Sequence, residues 1–466
     1  MKTGETAPND HIGPMFAKLE PRFGGILKVA VPIVISRASY TAMLFADRLF
    51  LSRVGKHELA AAMSGGLTSH VLSSFFVGLV GYVTAIVAQY YGANRPNMCV
   101  RATTQSLYVS FAAYPLLLLF IPLVRFIFVA AGQDPSLASL ATSYAKLLLA
   151  GSILLMVRTA LGSFFVGIGR TRIVMVANVA GALLNIPLNY IFIFGKLGLP
   201  AMGIRGAAFG TICGGFFTLL LLLGFYLRET SKAPFAGSRS LVYVPDIMRR
   251  LLRFGFPAGI EPFLNWFAFN VFVQVMHSYG PDTAAAATIA FNWDSIAFIP
   301  MLGLGVAATT VIGQHIGAKN YGSAQRSVFL TLRIAFLYSI VMVTLFVGFA
   351  GALARVFSSG FQDTDGKIAH MAATMLRFLA IYTIANSSKL VVSGSLRAAG
   401  DTAWMMWISI AIHWAMAVAV IILVRVIRVH QYLAWSTLVI MVNSHAFCVF
   451  YRFRTGKWKK IRLIED

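Results

Sequence analysis

Three carboxyl groups stand out because the sequence places them inside long apolar segments: Asp47, Glu261 and Asp294. The chain has only 16 acidic residues among 466, and the others lie in polar segments or near predicted helix ends. A charged, unpaired carboxylate in apolar surroundings costs several kcal/mol, so such groups usually line a wet, functional cavity. These three acids are therefore the first candidates for binding a proton or another cation.

Asp47 carries the most specific expectation. It lies eight residues before Gly55, or ~12 Å from that helix end at ~1.5 Å per residue. Burial favours a protonated acid, so Asp47 could take a proton from outside and release it when its surroundings become wetter. The alternative is a structural salt bridge with Arg48 or Arg37. Arg48 is poorly placed for this, because adjacent residues on a helix point about 100° apart.

Three asparagines share one face of the fifth predicted helix. Asn178, Asn185 and Asn189 follow helical spacing, with Gly181 on the same face. An amide stripe facing lipid would be costly, so this face is expected to meet protein or water. Two interpretations stay open: the amides bond neighbouring helices, or they belong to a binding site.

Two basic residues also lie deep inside apolar segments. Arg158 is ten residues from the predicted helix end near Ile168, or ~15 Å at ~1.5 Å per residue, which a snorkelling side chain covers only in part. Lys389 occupies the matching position in the internal repeat described below. Either both residues pair with buried acids, which we favour, or they bind an anionic part of a substrate.

The aromatic candidates for substrate contact are Trp266, Phe267 and Phe269. Their ring faces could hold a flat or cationic compound. The alternative is that they belong to the lipid belt and the core, like most aromatic residues of this chain.

The elements that position these residues are membrane helices. The chain would make about three soluble domains by length, but it is 58% hydrophobic and 12% charged, with a mean hydropathy of +0.75. A soluble core cannot hide that much apolar surface behind so few charges. The apolar blocks approach the ~20 residues that cross a bilayer, and they do not alternate as barrel strands do. The sequence predicts an all-α polytopic membrane protein.

Several activities have no support in the sequence. A net charge of +23 would suggest nucleic acid for a soluble protein, but basic loops are also how helical membrane proteins are oriented. There is no Walker A, HExxH or GxSxG motif, and the three cysteines have no metal-ligand spacing. We therefore expect no catalytic residue, no metal, no cofactor and no nucleic-acid partner. Four histidines are expected to be packed polar residues: His70, His315, His413 and His445.

Gly, Pro and charged clusters divide the chain into twelve predicted transmembrane helices. Lys and Arg are concentrated in the loops on the side that holds both termini, and the positive-inside rule places that side in the cytoplasm. The predicted helices are 24–53, 59–91, 101–131, 137–168, 172–195, 202–227, 248–279, 283–316, 325–356, 367–397, 402–428 and 431–453.

An internal repeat relates the two halves of the chain. Residues match without gaps at an offset of 225, and beyond a small insertion the offset becomes about 231. Six helices per half is an even number, so both halves enter the membrane from the same side. The predicted division is a cytoplasmic N-terminal segment 1–23, an N-lobe 24–228, a linker 229–247, a C-lobe 248–453 and a basic tail 454–466. The matched pairs include Pro32 with Pro257, Gly55 with Gly280, Gln89 with Gln314, Gly92 with Gly317 and Arg101 with Arg326.

Duplicated six-helix bundles of this kind carry substrates at their interface and work by rocking or gating around it, which makes a secondary transporter the first hypothesis. The second hypothesis is a membrane-embedded enzyme acting on lipids. Such an enzyme needs a cluster of catalytic groups near one membrane interface, and no motif provides one.

Three passages of the sequence follow a known pattern. They are ALLNIPLNYIFIFGKLGLPAMGIRGAAFGT (182–211), FADRLF (45–50) and GSLRAAGDT (394–402), where Ala398 replaces a usual glycine. These passages resemble the multidrug and toxic compound extrusion (MATE) family of cation-coupled antiporters, over residues 24 to about 402. The resemblance implies two six-helix lobes in a V around a central cleft. It also implies a cation or proton site at Asp47, with Asn185, Asn189, Tyr144 and Thr211 in the same polar cluster.

The second lobe departs from the family pattern. Asn265 and Asn386 stand where many relatives carry a Glu and an Asp. Glu261 and Asp294 could form a relocated site near Lys389, or either could be a neutral, hydrogen-bonded acid. Sodium prefers several oxygen ligands with net negative charge, whereas a proton needs one titratable group. The loss of both family acids therefore favours proton coupling over sodium coupling.

The sequence as a whole predicts an exporter that exchanges amphipathic, often cationic compounds for protons. We expect it in a bacterial-type inner membrane, with a small-molecule substrate and the lipid bilayer as its partners, and functional as a monomer. The alternative within the same superfamily is a flippase for lipid-linked sugars or polysaccharides. That alternative predicts a cleft lined by several arginines and, usually, additional helices.

Overall fold

The computed structural model describes residues 22–130, 132–236, 241–358 and 366–464. Most of the predicted N-terminal segment, four linker residues and the last two residues of the chain lie outside these ranges. The helices are α1 (Phe23–Ser52), α2 (Lys56–Gly81), α3 (Val83–Gly92), α4 (Pro96–Leu118), α5 (Ile121–Ala130), α6 (Pro135–Ala150), α7 (Ser152–Gly167), α8 (Thr171–Phe194), α9 (Ile204–Thr230), α10 (Pro245–His277), α11 (Pro281–Gly317), α12 (Tyr321–Gly348), α13 (Ala350–Ser358), α14 (Lys367–Ala399), α15 (Thr402–Ile421) and α16 (Gln431–Arg454). A π-helical turn (Ile422–Ile427) extends α15, and a 3-10 turn (Lys457–Lys460) follows α16.

These helices correspond to the twelve predicted blocks, because four blocks are each divided into two helices. Within the described ranges, nine helices are long and apolar enough to cross a membrane, counting α2 with α3 as one. The pairs α4–α5 and α6–α7 bend by 48° and 43° and raise that number to eleven. Helix α10, the seventh predicted block, is the remaining one, and its polar residues Glu261, Asn265, Asn270 and Gln274 lower its mean hydropathy. The predicted all-α membrane architecture is confirmed.

The helices form two lobes, α1–α9 and α10–α16. Within the first lobe α8 packs against α1 and α9, and within the second α11 packs against α14. The lobes meet where α2 packs against α10, and where α11 packs against α1 and α3. The α2–α10 and α11–α1 contacts are equivalent under the repeat, so the two lobes face each other across a pseudo-two-fold axis.

The lobes approach most closely at one end of the molecule, which we name the basic end. It contains the loops 93–95, 168–170, 318–320 and 400–401, which follow α3, α7, α11 and α14. A Cβ atom on Gly92 would overlap the carbonyl oxygen of Gln314, and one on Gly317 would overlap that of Gln89. These two positions need glycine because backbone meets backbone there.

The same two glutamines also bond across the axis. The side-chain amide of Gln89 donates to the carbonyl of Ala398 at 2.6 Å. The equivalent amide of Gln314 donates to the carbonyl of Gly167 at 2.8 Å. The repeat detected in the sequence is thus reproduced as a symmetric pair of hydrogen bonds that closes the basic end.

Farther from the basic end, the lobes touch at a second symmetric level. A Cβ on Gly78 would lie 2.7 Å from Cα of Gly259, and one on Gly303 would overlap Cγ2 of Val34 within 2.5 Å. Gly78 is fourteen residues from Gly92, so this level lies about 21 Å from the basic end at about 1.5 Å per residue. The described contacts between the lobes therefore extend over at least about 21 Å from the basic end.

Candidate functional site

Asp47 is buried in the N-lobe, where α1 meets α8 and α9. Its side chain is only 3% exposed, and its Oδ1 accepts a hydrogen bond from Nδ2 of Asn189. Asn189 Nδ2 also donates to Oδ1 of Asn185 at 3.0 Å, and both asparagines are fully buried. None of the ion pairs formed by the described residues includes Asp47. Its direct partner is a neutral amide rather than a cation.

Tyr144 of α6 and Thr211 of α9 complete this N-lobe cluster, and both lie near Asp47. Four buried atoms of the cluster have no hydrogen-bond partner among the described residues: Asp47 Oδ2, Asn185 Nδ2, Asn189 Oδ1 and Thr211 Oγ1. Buried polar atoms normally have partners, so a group of four is unusual. The arrangement can accept a proton on the carboxylate, or a water molecule or small cation between these atoms. The structure thus brings together all five residues predicted for this site.

Glycines of α9 let the asparagine stripe of α8 reach this position. A Cβ on Gly210 would overlap Oδ1 of Asn189, and one on Gly214 would lie 2.9 Å from Cβ of Asn185. Small residues allow membrane helices to approach closely enough for side-chain hydrogen bonds. This packing explains the GIRGAAFGT segment of the sequence in physical terms.

Asn178 lies on the same stripe but outside the cluster. Its Nδ2 donates to the hydroxyl of Ser36 on α1 at 2.6 Å. The structure therefore divides the stripe between the two interpretations: Asn178 joins two helices, whereas Asn185 and Asn189 surround the buried carboxyl group.

The acids of the C-lobe each have a direct partner. Glu261 forms an ion pair with Arg397 at 3.0 Å, and the hydroxyl of Tyr382 donates to Asp294 at 2.9 Å. Lys389 lies close enough to interact electrostatically with both Glu261 and Asp294. The structure therefore brings the two relocated acids to one region, with a lysine near both.

Asn265 and Asn386 stand at the C-lobe positions where many relatives carry acids. The surroundings of these two amides differ. Asn265 Nδ2 donates to the hydroxyl of Ser409 at 2.8 Å, while Asn386 is buried and its Oδ1 has no partner among the described residues. His413 Nδ1 contacts the carbonyl of Ser409 at 2.7 Å, and its ring lies 5.5 Å from the ring of His445. His445 is 3% exposed. Both histidines lie near Lys389.

The comparison with known families decides what this architecture is. The family model described as MatE matches residues 32–191 and 257–423, which lie in the N-lobe and the C-lobe. The chain belongs to the MatE family. The predicted family is confirmed, and so is the prediction that the protein is a membrane transporter and not an enzyme.

Relatives of this MatE protein cover most of its length. It is 26% identical to a probable multidrug resistance protein NorM of Pasteurella multocida over 84% of this chain and 83% of that protein. It is 25% identical to the multidrug resistance protein MdtK of Proteus mirabilis over 84% of each. A MOP superfamily transporter from Pyrococcus furiosus has the same fold, with a TM-score of 0.85 and 22% identity over 94% of this chain and 97% of that one.

The deep cations of this MatE protein have different surroundings in the two lobes. Lys389 has carboxylate neighbours, which fits the pairing favoured from sequence. Arg158 on α7 instead lies near Arg37 and Tyr40 of α1. Among the described residues, neither arginine side chain forms an ion pair or a hydrogen bond. Sequence reasoning named Arg37 only as a partner for Asp47.

The three predicted aromatic contacts have different surroundings. Trp266 is 41% exposed, and its ring lies 6.1 Å from the ring of His70 on the other lobe. Phe269 packs against Phe291 at 5.1 Å in the core of the C-lobe. Phe267 is exposed and packs edge-on against Phe263, one turn away on the same helix. Trp266 is thus the one of the three that bridges the lobes.

Proposed function

We propose that this MatE protein exports amphipathic small molecules in exchange for protons, with Asp47 as the coupling group. The observation that carries the proposal is the buried carboxyl group whose direct hydrogen-bond partner is neutral. A carboxylate without a cation at this depth is stable only when protonated or when its surroundings are wet. Proton binding and a change in hydration of the N-lobe are therefore coupled.

The neighbours of Asp47 support a proton rather than a sodium ion. Among the described residues, Asp47 is the only carboxylate of its cluster, and no three residues of the types His, Cys, Asp and Glu come together. A sodium ion there would rely on one charged and a few neutral oxygen atoms, which is a poor match for a hard cation. In the C-lobe, Arg397 forms an ion pair with Glu261, and Lys389 lies near both Glu261 and Asp294.

The orientation follows from charge. The basic end carries Arg95, Arg170 and Lys319 in its loops, and we propose that it faces the cytoplasm of a bacterial-type inner membrane. Both termini then lie in the cytoplasm. The N-lobe, the linker and the C-lobe belong to one chain, which therefore supplies both sides of the cleft. We propose that a monomer is sufficient for transport.

One observation favours the flippase alternative: Arg37 and Arg158 lie close together without acidic neighbours among the described residues. A lipid-linked pyrophosphate would need such groups. The predicted preference for cationic compounds has no equivalent support, because Glu261 already pairs with Arg397 and Lys389 lies near Asp294.

The test is a growth and efflux assay in a bacterial strain that lacks its own multidrug exporters. Cells expressing the wild type, Asp47→Asn or Asn178→Ala are challenged with cationic, zwitterionic and anionic amphiphiles. We expect the wild type and Asn178→Ala to export at least one compound, and Asp47→Asn to export none at equal expression. Full export by Asp47→Asn would refute the coupling role, and no export by the wild type would refute the proposed function.

A further inference from the structure

We propose that the cleft binds an anionic group of the substrate between Arg37 and Arg158, so that the transported compounds are anionic or zwitterionic amphiphiles. This inference rests on the proposed export function and specifies its substrate class. It reverses the preference for cations that the sequence suggested, and the reason is where the fold places the charges.

The balance of buried charge differs between the lobes. In the C-lobe two cations, Lys389 and Arg397, have two acids beside them, Glu261 and Asp294. This half of the cleft is therefore neutral when all four groups are charged.

In the N-lobe, Arg37 and Arg158 are near each other and near Tyr40, and no carboxylate is among the charged groups close to either. Asp47 is ten residues from Arg37 on the same helix, or about 15 Å at about 1.5 Å per residue. Two positive charges therefore remain uncompensated in this half of the cleft.

Both arginines lie at a depth where an uncompensated charge is costly. Arg37 is fourteen residues from the start of α1, and Arg158 is nine residues from the end of α7. At about 1.5 Å per residue these positions lie roughly 21 Å and 14 Å from the basic end, which places both inside the hydrocarbon region. Ionised residues at such depth face a water-filled cavity and mark a substrate pathway.

Neither side chain is packed into the core of its lobe. Arg37 is exposed and Arg158 is half-buried, and Nη1 of Arg158 lies 3.7 Å from the position that a Cβ on Gly215 of α9 would take. His70 of α2 lies near Arg37, and its ring contacts Trp266 of the C-lobe. This chain of contacts places the arginine pair beside the interface between the lobes.

The chemistry of the site suits an amphiphile with one acidic group. Guanidinium groups bind carboxylates and phosphates through paired, charge-assisted hydrogen bonds. Trp266 and Tyr40 are exposed beside the arginines and offer ring surfaces for an apolar body. A sulfonate, carboxylate or phosphate ester on an aromatic scaffold would satisfy both halves of this site. The anionic group could equally belong to a lipid-linked phosphate.

The experiment uses two probes with the same xanthene ring system and opposite charge, anionic fluorescein and cationic rhodamine 123. Binding to the purified full chain is measured by fluorescence anisotropy, and transport is measured in proteoliposomes with an imposed pH gradient. The variants are Arg158→Gln, Arg158→Lys and Arg37→Gln. Arg125→Gln is the matched control, because it removes an exposed arginine of α5.

We expect fluorescein to bind and to be transported, with at least a tenfold loss of affinity in Arg158→Gln and Arg37→Gln. Arg158→Lys should restore part of the affinity, and Arg125→Gln should match the wild type. Tighter binding of rhodamine 123 than of fluorescein, or equal fluorescein binding by all variants, would overturn the proposal. A thermal melt of each variant identifies any that fail to fold, and in that case the remaining arginine variant decides the outcome.

Two further measurements complete the experiment. The first distinguishes failure of the coupling mechanism from failure of the substrate class, and the second distinguishes a lipid-linked phosphate from a soluble anion. Fluorescein that binds to the wild type but is transported equally well by Asp47→Asn contradicts the coupling mechanism and leaves the substrate class intact. Competition by a long-chain prenyl diphosphate in micelles is compared with competition by water-soluble salicylate. Displacement by the prenyl diphosphate alone assigns the site to a lipid-linked phosphate, and displacement by salicylate assigns it to soluble anions. Displacement by neither contradicts an anion site.

Discussion

Substitution of Gly92 by alanine is expected to separate the two lobes at the basic end. The new Cβ would overlap the carbonyl oxygen of Gln314, which belongs to the backbone of α11 and cannot rotate away. Overpacking of this kind costs about 1–3 kcal/mol. Separation of the lobes would also lengthen the hydrogen bonds of Gln89 and Gln314 across the axis, each worth about 1 kcal/mol. A total of about 3–5 kcal/mol shifts a two-state equilibrium roughly 150- to 5,000-fold.

The shift is measurable as a distance between spin labels at the basic end. Asn97→Cys and Gly322→Cys are exposed, equivalent positions in the two lobes, and the labels are attached in a background without the three native cysteines. We expect the distance distribution of the wild type to be dominated by the short component and that of Gly92→Ala by a longer one. Gly317→Ala should behave like Gly92→Ala, because the two glycines make the same contact.

The control is Gly224→Ala in α9, where a new Cβ would meet nothing within 4 Å. This variant makes the same chemical change within a helix, so it accounts for any general effect of replacing glycine. If Gly92→Ala kept the short distance seen in the wild type, the lobes could not be held by the backbone contact that the structure shows. The physical account of closure at the basic end would then be wrong.

Three further predictions concern individual side chains. Asn189→Ala should slow proton-driven transport at least tenfold, because a charge-assisted hydrogen bond to Asp47 is worth about 1.5–3 kcal/mol. Asn178→Ala should lower only the melting temperature. Equal transport by the two variants would contradict this prediction. A sodium gradient at symmetric pH should drive no transport, and sodium-driven efflux that disappears in Glu261→Gln would argue for a sodium site. Arg452→Gln should lower the free energy of unfolding by about 3 kcal/mol, because Asp401 is 4% exposed and loses its bidentate partner, and an unchanged thermal melt would disprove that.

The sequence by itself determined the class of the protein, the number of helices and the duplication. Hydropathy is a local property, because each segment must match the bilayer independently of its neighbours. The repeat was equally visible, since matched residues such as Gln89 and Gln314 lie at a constant offset. Once the lobes are known to face each other, the constant offset also implies that the two glutamines make equivalent hydrogen bonds to the opposite lobe.

The N-lobe cluster was also predicted, because helical spacing joins two of its residues and the family resemblance implies the others. Asn185 and Asn189 lie one turn apart on a single helix, and the family pattern connects them to Asp47. The glycines that make room for them, Gly210 and Gly214, lie in the same quoted passage. Only the close packing of α9 on α8 had to be supplied by the structure.

Only the tertiary structure decided which charges meet. Glu261 and Arg397 are 136 residues apart and pair across the helices α10 and α14. Arg37 of α1 and Arg158 of α7 lie near each other. From the sequence alone, each could equally have paired with an acid. Such pairings depend on the rotation of each helix about its axis and on the approach of the lobes, and one residue of rotation moves a side chain by about 100°. The substrate class that we propose therefore depends on packing and not on any local feature of the chain.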